Sequence, residues 1–253
     1  MNPTPARVAL VTGVARGIGF SIAQHLADLG HPVILADSSA SVLESAQRLG
    51  QSGLKARGLV LDVANEEAVR DLPELVGDWW SNLSILVNNA GISPKTDGRK
   101  RSVAEMRSDE WRQVLAVNLT GAFLVTQTCL APLCSRGWGR VVMITSQAAR
   151  TRTPVPGAHY AASKSGLTGF ARVLAAEVAG DGVTVNCVAP GRIASEMTLA
   201  TDAGIDAALA ASIPAGRMGR PAEVAATVAF LVSDGAGYLT GASLDVNGGS
   251  FMP

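Results

Sequence analysis

The chain has 253 residues, of which 47% are hydrophobic and 17% charged, and its formal net charge is zero. A chain of this length can bury one sizeable core, so we expect a single domain over residues 1–253. Without net charge, the protein has no field that would favour nucleic acid or a membrane surface, and we expect a small-molecule ligand instead.

The three cysteines and the hydropathy of the chain bear on its location. Cys129, Cys134 and Cys187 have neither metal-ligand nor redox spacing, and an odd number argues against a disulfide framework. We therefore expect no bound metal and a cytoplasmic protein. The first residues lack the pattern of an export signal, and eighteen apolar residues never follow one another, so we expect no transmembrane helix.

Seven short runs of apolar and β-branched residues predict strands that are buried on both faces. The runs are 8–11, 33–36, 59–61, 85–87, 141–144, 183–185 and 244–246. Between them lie amphipathic stretches long enough for helices, among them 17–29, 66–80, 109–134, 158–179 and 222–233. This alternation predicts an α/β, Rossmann-type, doubly wound parallel sheet with helices on both faces. We expect segments 93–102 and 192–220 to form loops or short helices over the edge where ligands of such sheets bind.

A glycine-rich segment, residues 12–19, follows the first predicted strand and leads into a helix. Glycines let the backbone turn tightly and approach a pyrophosphate, and a helix N-terminus offers unpaired N–H groups and the positive end of its dipole. The spacing of Gly13, Gly17 and Gly19 differs from the usual dinucleotide fingerprint, and a plain strand-to-helix turn is the alternative. The position directly after the first strand favours phosphate binding.

Further motifs follow in order along nearly the whole chain. They are Asp62-Val63, Asn88-Asn89-Ala90-Gly91, Asn118 in Val-Asn-Leu-Thr-Gly, Ser146, Tyr160-x-x-x-Lys164 and Pro190-Gly191. Together with the Thr-Gly-x-x-x-Gly-Ile-Gly turn, they resemble the short-chain dehydrogenase/reductase family. The terminal third, residues 213–249, is most similar to the branch of 3-oxoacyl-carrier-protein reductases and related sugar and polyol dehydrogenases. The resemblance implies a nicotinamide-dependent oxidoreductase.

The glycine turn and the resemblance together place a set of residues at the cofactor. They are Gly13, Arg16, Gly17, Ile18, Gly19, Asp37, Asp62, Val63, Asn89, Ala90, Gly91, Tyr160, Lys164, Pro190, Gly191, Ile193 and Ser195. The resemblance implies that Asp62 and Val63 border the adenine, although Asp62 could instead cap the following helix. Ile193 would contact the carboxamide through its backbone. Ser195 stands where the family usually has threonine. Serine keeps the hydroxyl group of threonine but lacks its methyl group.

Two residues give opposite indications about the cofactor. Asp37 ends the second strand, where a carboxylate can accept hydrogen bonds from the ribose hydroxyls and would repel a 2′-phosphate. Arg16 precedes the second glycine of the turn, as a basic residue does in NADP-using relatives. Because Asp37 should lie against the ribose while Arg16 can swing into solvent, we predict NAD rather than NADP.

Tyr160 and Lys164 are predicted to share one face at the start of a helix, four residues apart. A free phenol has a pKa near 10, and a neighbouring ammonium should lower that pKa and suit Tyr160 to acid–base catalysis. The resemblance implies that Tyr160 exchanges a proton with the substrate oxygen and that Lys164 holds the nicotinamide ribose. The alternative is an ordinary surface pair. We expect His159 to be a loop residue.

Ser146 and Asn118 complete the predicted catalytic set. Ser146 ends the fifth strand and can stabilise charge on the substrate oxygen. It precedes Tyr160 by fourteen residues, one more than the commonest family spacing, so Thr145 and Gln147 are the alternatives. The resemblance implies that Asn118 anchors a water between Lys164 and solvent. It could also be a helix-kink residue that bonds to backbone.

The predicted substrate is a small ketone or alcohol. Six basic residues are expected to rim the cleft, which would suit an anionic substrate, although ordinary solvated loop charge is as good an explanation. They are Lys95, Arg99, Lys100, Arg101, Arg150 and Arg152. Small residues on the helix of Tyr160, with the resemblance, favour a homotetramer. The alternatives are an NADPH-dependent 3-oxoacyl-carrier-protein reductase and a catalytically silent dinucleotide sensor.

Overall fold

Seven parallel strands form one sheet in the computed structural model, which describes residues 7–96, 98–194 and 210–252. In chain order they are β1 (Val8–Thr12), β2 (Val33–Asp37), β3 (Ala56–Val60), β4 (Leu83–Asn88), β5 (Gly139–Ile144), β6 (Val183–Pro190) and β7 (Ser243–Val246). Their order across the sheet is β3-β2-β1-β4-β5-β6-β7. The order reverses between β1 and β4, which confirms the predicted doubly wound sheet and opens a crevice at that point.

Helices cover both faces of the sheet. They are α1 (Gly17–Asp28), α2 (Ser41–Gln51), α3 (Glu66–Arg70), α4 (Leu72–Val76), α5 (Ser108–Leu115), α6 (Ala122–Cys134), α7 (Ala158–Val178) and α8 (Pro221–Leu231). One apolar cluster packs α3, α4, α6 and α7 on one face, and a second packs α1, α2 and α8 on the other. Burial on both faces explains the continuous apolar runs of the central strands.

Two local predictions were wrong. The helix predicted over 66–80 is broken into α3, α4 and a 3₁₀ turn (Gly77–Asn82). Pro73 lies in the first turn of α4, where its missing N–H group is harmless. In the interior of one continuous helix, the same proline would remove a backbone hydrogen bond, so α3 does not continue into α4. β3 and β7 are edge strands rather than strands buried on both faces: Val60 of β3 is 48% exposed, and all four residues of β7 are only partly buried.

α5 and α6 are joined by a π-helical turn (Ala116–Gly121) into one helical run, Ser108–Cys134. By length and composition alone this run could cross a membrane. Its apolar residues Val125, Cys129 and Leu133 are fully buried against the sheet, so the fold itself accounts for them. The π turn places one polar side chain, Asn118, in the interior.

Candidate active site

The glycine turn after β1 is fixed by steric constraints. Gly13 has φ +70°, and a Cβ there would lie 2.6 Å from the Cα of Ala90. A Cβ on Gly19 would collide with the carbonyl oxygen of Gly13. Only glycine fits either position. The N-cap residue of α1 is Arg16. An arginine side chain has no hydrogen-bond acceptor, so it does not cap the first N–H groups of α1. A cradle of glycines at an uncapped helix N-terminus fits a pyrophosphate.

Asn89 braces this turn from the neighbouring strand. Its side-chain amide donates to the carbonyl oxygens of Thr12 (2.9 Å) and Gly13 (2.7 Å). The Thr12 hydroxyl in turn accepts from the backbone N–H groups of Asn89 and Ala90, both at 3.1 Å. The ends of β1 and β4 are thereby joined where the strand order reverses. The predicted cofactor residues of these two motifs lie side by side.

Asp37 lies beside the same turn. Its Oδ2 accepts from the Ala15 N–H at 2.9 Å, and its Oδ1 accepts from the Ser39 N–H at 2.9 Å. Two backbone donors therefore hold the carboxylate in one orientation at the end of β2. Arg16 is exposed.

Asp62 and Val63 follow β3 in different environments. Asp62 is exposed, and its carboxylate accepts from the Ala64 N–H at 2.9 Å. It does not cap α3: the cap is Asn65, whose side chain accepts from the Ala68 N–H. Val63 is buried and lies so close to Gly121 that a Cβ on that glycine would be 2.7 Å away.

Tyr160 and Lys164 lie in the first two turns of α7, as predicted. Lys164 is 3% exposed, and its Nζ donates to the carbonyl oxygen of Ile144 at 2.7 Å, at the end of β5. The same Nζ lies 5.8 Å from the centre of the Tyr160 ring. A Cβ on Gly91 would lie 3.3 Å from that Nζ. The glycine after β4 thus leaves room for the ammonium group.

The electrostatics of this pair differ from the expectation. Burial raises the pKa of Tyr160, and a hydrogen bond with the Ser146 side chain opposes that rise. Burial also lowers the pKa of Lys164 to about 8. In this geometry, loss of solvent dominates both groups, because the ammonium is turned toward a backbone carbonyl instead of the phenol oxygen. The phenol is neutral at physiological pH, the state required of a proton donor.

Ser146 is distinguished from its neighbours by its partners. Thr145 is buried and donates to the Val188 carbonyl oxygen at 2.9 Å, so it belongs to the sheet. Gln147 is bound to the hydroxyl and carbonyl of Ser250. Ser146 accepts from the Ala148 N–H at 3.1 Å and reaches Tyr160. Of the three candidates, Ser146 is the one that interacts with the tyrosine despite the longer spacing.

Asn118 sits fully buried in the π turn. Its Oδ1 accepts from the Ile92 N–H at 2.8 Å, and its Nδ2 donates to the Ile92 carbonyl at 3.0 Å and to the Ser163 hydroxyl at 3.1 Å. The interpretation as a residue that bonds to backbone at a helix irregularity is confirmed. The predicted water-anchoring role stays a prediction.

The turn after β6 approaches the same edge. Gly191 donates to the Val246 carbonyl at 3.0 Å, and a Cβ on it would meet Asn247 at 2.8 Å. Arg192 and Ala194 form the backbone bonds of a bridge to Gly219. The N–H and carbonyl of Ile193, between them, therefore point away from that partner. Ser195 lies outside the described residues.

Two residues of the predicted basic rim, Arg101 and Arg150, are paired with carboxylates. Arg150 pairs with Asp245 at 3.2 Å, and Arg101 donates to Glu110 at 2.9 Å. Lys100 donates to the Thr153 carbonyl at 3.4 Å. Paired charges attract a substrate less than free ones, so Arg101 and Arg150 contribute less to the expected cationic field, whereas the bond of Lys100 to a carbonyl leaves its charge in place.

His159 is not a loop residue. It lies in the first turn of α7, is 1% exposed, and contacts Glu110 at 3.0 Å. Glu110 and Ser163 were not predicted to take part in the site. The sequence holds one signal for His159, its place immediately before Tyr160, but none that would connect it with a glutamate 49 positions earlier.

Comparison with known proteins agrees with this geometry. The family model described as enoyl-(acyl carrier protein) reductase matches residues 13–250. The 3-oxoacyl-(acyl-carrier-protein) reductase of Pseudomonas aeruginosa is 41% identical over 247 residues, which cover 97% of this chain and 98% of that protein. The reductase of the same name from Haemophilus influenzae is 39% identical over 246 residues, with the same coverage.

Two solved structures of Brucella melitensis are also similar, both described as 3-oxoacyl-(acyl-carrier protein) reductases. The first has a TM-score of 0.94 at 37% identity and covers 99% of this chain and 94% of that chain. The second, with bound NAD, has a TM-score of 0.91 at 37% identity and covers 98% of this chain and 92% of that chain.

Proposed function

The chain belongs to the short-chain dehydrogenase/reductase family and is an NAD(P)-dependent oxidoreductase of ketones, and from that premise we propose that it uses NAD(H) with Tyr160 as acid and base. The observation that carries the catalytic assignment is the group of Tyr160, Ser146 and Lys164 at the end of β5, in which Lys164 is buried and the other two are partly buried. It lies at the same strand ends as the glycine cradle, as a reacting centre beside a dinucleotide requires.

The bound dinucleotide would supply or accept the hydride, held by the glycine turn and by the strand ends that Asn89 braces. The phenol of Tyr160 donates its proton to the ketone oxygen during reduction and accepts it during alcohol oxidation. Ser146 donates a hydrogen bond to the same oxygen and so stabilises the charge that develops there. Charged Lys164 stabilises the phenolate that reduction leaves behind.

The preference for NAD is supported by the way Asp37 is held. Two backbone N–H groups fix the carboxylate, so it cannot swing aside for a phosphate. A 2′-phosphate about 4 Å away would be repelled by roughly 4 kcal/mol at an effective dielectric near 20, before solvent screening. One Brucella relative was solved with NAD bound, which agrees with this preference.

The cofactor test compares kcat/KM for NADH and NADPH with acetoacetyl-CoA as the ketone. After screening, we expect NADH to be favoured by about 100-fold. Asp37→Ser should remove most of that preference by improving NADPH. Comparable kcat/KM values for the two cofactors in the unmodified protein would contradict the proposal and favour NADPH-dependent reduction.

A 3-oxoacyl thioester is the first substrate candidate, because the curated relatives described above are named 3-oxoacyl-(acyl-carrier-protein) reductases. Acetoacetyl carrier protein, acetoacetyl-CoA and ethyl acetoacetate, compared as substrates, separate recognition of a carrier from recognition of the ketone alone. A rate independent of the carrier would place the chain with small-ketone dehydrogenases. For an anionic substrate, Arg152, which is exposed, is the remaining candidate on its loop.

We also propose a cytoplasmic homotetramer. α6 and α7 together expose apolar side chains, with Phe123 41% and Val173 60% exposed, and Phe123 contacts Phe170 edge to face. Such a surface on adjacent helices suits contact with a second copy. Light scattering of the purified protein should give four times the 26.0 kDa chain mass. A monomeric mass would refute the assembly.

A further inference from the structure

The first turn of α7 is capped in an unusual way. The first N–H groups of a helix lack intrahelical partners and are usually satisfied by a Ser, Thr, Asp or Asn at the N-cap. The N-cap residue here is Gly157, which has no side chain. The N–H of Tyr160 instead donates to Nδ1 of His159 at 2.7 Å. A residue inside the helix therefore supplies the acceptor that the N-cap lacks.

This bond fixes the tautomer of the imidazole ring. Because Nδ1 accepts from Tyr160, the proton of the neutral ring must sit on Nε2. Nε2 lies 3.0 Å from Oε1 of Glu110 and donates to it. The other carboxylate oxygen accepts from Arg101 at 2.9 Å. Three side chains thus connect the loop after β4 with the backbone of Tyr160.

The carbonyl of Tyr160 is held as well. It accepts from the Ser163 hydroxyl at 2.8 Å, and that hydroxyl accepts from Asn118 at 3.1 Å. Glu110 and Asn118 belong to the same helical run, Ser108–Cys134. Both main-chain polar groups of Tyr160 are therefore tied, through His159 and Ser163, to one helical run.

Gly157 makes room for the imidazole. A Cβ at this position would lie 2.7 Å from Cε1 of His159. The backbone of Gly157, with φ −77°, could be adopted by any residue. Position 157 is therefore restricted to glycine by contact with the His159 ring and not by its backbone conformation. A side chain at the N-cap and a ring at position 159 exclude each other.

We propose that His159 is a positioning residue: it caps the N–H of Tyr160, Glu110 orients its ring, and Arg101 orients Glu110. The inference rests on the proposed role of Tyr160 as acid and base. The cap fixes the start of α7 and with it the position of the phenol relative to the substrate oxygen. Small displacements at such a centre are costly, since about 1 Å can reduce a rate by about 100-fold.

Two matched variants separate the two contacts of His159. Asn places an oxygen where Nδ1 stands, so His159→Asn keeps the cap and loses the bond to Glu110. Gln places a nitrogen where Nε2 stands, so His159→Gln keeps the bond to Glu110 and loses the cap. Each variant loses one hydrogen bond, which makes them comparable in stability.

The readouts are kcat and KM with acetoacetyl-CoA and NADH, and hydrogen exchange of the Tyr160 amide. We expect His159→Gln to lower kcat by about tenfold, with the KM for NADH unchanged and exchange accelerated. His159→Asn should stay within about twofold of the unmodified kcat and retain slow exchange. Unchanged kcat and exchange in His159→Gln, or equal losses in the two variants, would overturn the proposal.

A double variant moves the cap to its usual place. His159→Ala removes the ring that excludes a side chain at position 157, and Gly157→Ser then offers a hydroxyl to the same N–H. The double variant should recover most of the kcat that His159→Ala alone loses, and no recovery would count against capping. Arg107→Ala, which breaks an exposed pair with Asp109 beside Glu110, is the control and should have no effect.

Failure of the proposed function would look different. If Tyr160→Phe kept full turnover, Tyr160 would not be the acid and base, and the catalytic part of the inference would fall with it. The hydrogen-exchange rate of the backbone amide at position 160 still tests whether His159 caps that N–H group. Fast exchange in His159→Gln with slow exchange in His159→Asn supports the cap, and equal rates refute it.

Discussion

At the cofactor end of the site, the turn 12–19 is fixed by glycine conformations and by hydrogen bonds to main-chain atoms. At the chemical end, Tyr160 and Lys164 are fixed by side chains of α7, α5 and the π turn and by a carbonyl of β5. The glycines of the first arrangement lie in one short stretch of sequence, although the Asn89 side chain that braces them comes from 76 to 77 positions away. The second depends on side chains up to 49 positions away, and its charges are set by burial. Changes at the two ends should therefore differ in kind.

The largest effect on cofactor binding is expected from Gly19→Ala, because its Cβ collides with the Gly13 backbone. We expect NADH binding to weaken by about 100-fold, corresponding to an overpacking cost of about 3 kcal/mol. Gly50→Ala is the matched control. It lies inside α2 with open space around it and should stabilise the protein by about 0.5–1 kcal/mol. Titration of NADH fluorescence and thermal melts measure the two effects.

A loss of comparable size in both variants would contradict the steric account of the cofactor end. It would mean that the glycines act through chain flexibility and not through the space they leave.

The pH dependence of ketone reduction probes the chemical end. Burial lowers the pKa of Lys164 to about 8, so its charge is present below that pH and is lost above it. Since charged Lys164 stabilises the phenolate formed by reduction, kcat should fall above about pH 8, approaching tenfold per pH unit. Steady-state kcat between pH 6 and 10 tests this. A constant kcat through pH 9.5 would show that the charge of Lys164 does not control the step.

The smallest effects are expected from substitution of two arginines on the loop after Ser146. Arg150 is paired with Asp245, so Arg150→Ala should lower the melting temperature by a few degrees and leave KM nearly unchanged. Exposed Arg152 is able to meet an anionic group, so Arg152→Ala should raise KM about threefold for acetoacetyl-CoA and not for ethyl acetoacetate. Equal changes in KM for both substrates would end the anionic-substrate hypothesis.

The sequence sufficed for features that are local or strictly periodic. The apolar runs predicted all seven strands and their parallel arrangement, and the glycine spacing predicted the tight turn. It failed where tertiary contacts decide the outcome. The exposure of Val60 follows from the place of β3 at the sheet edge, which no local pattern shows.

The chemical end was predicted in its residues but not in its electrostatics. The spacing of Tyr160 and Lys164 was sufficient to place them on one helix face. That the ammonium turns to Ile144 depends on the end of β5, which lies next to α7 only in the fold. For the same reason His159 was assigned to a loop: its partner Glu110 lies on a different helix.

We propose that Tyr160 carries the proton during hydride transfer. The most direct test of this role is the single-turnover rate of NADH oxidation by acetoacetyl-CoA in Tyr160→Phe, which removes one hydroxyl and keeps the ring packed. We expect unchanged NADH binding and a rate lowered by at least about 1,000-fold. Turnover within tenfold of the unmodified protein, with NADH binding intact, would contradict it and assign the proton to another group.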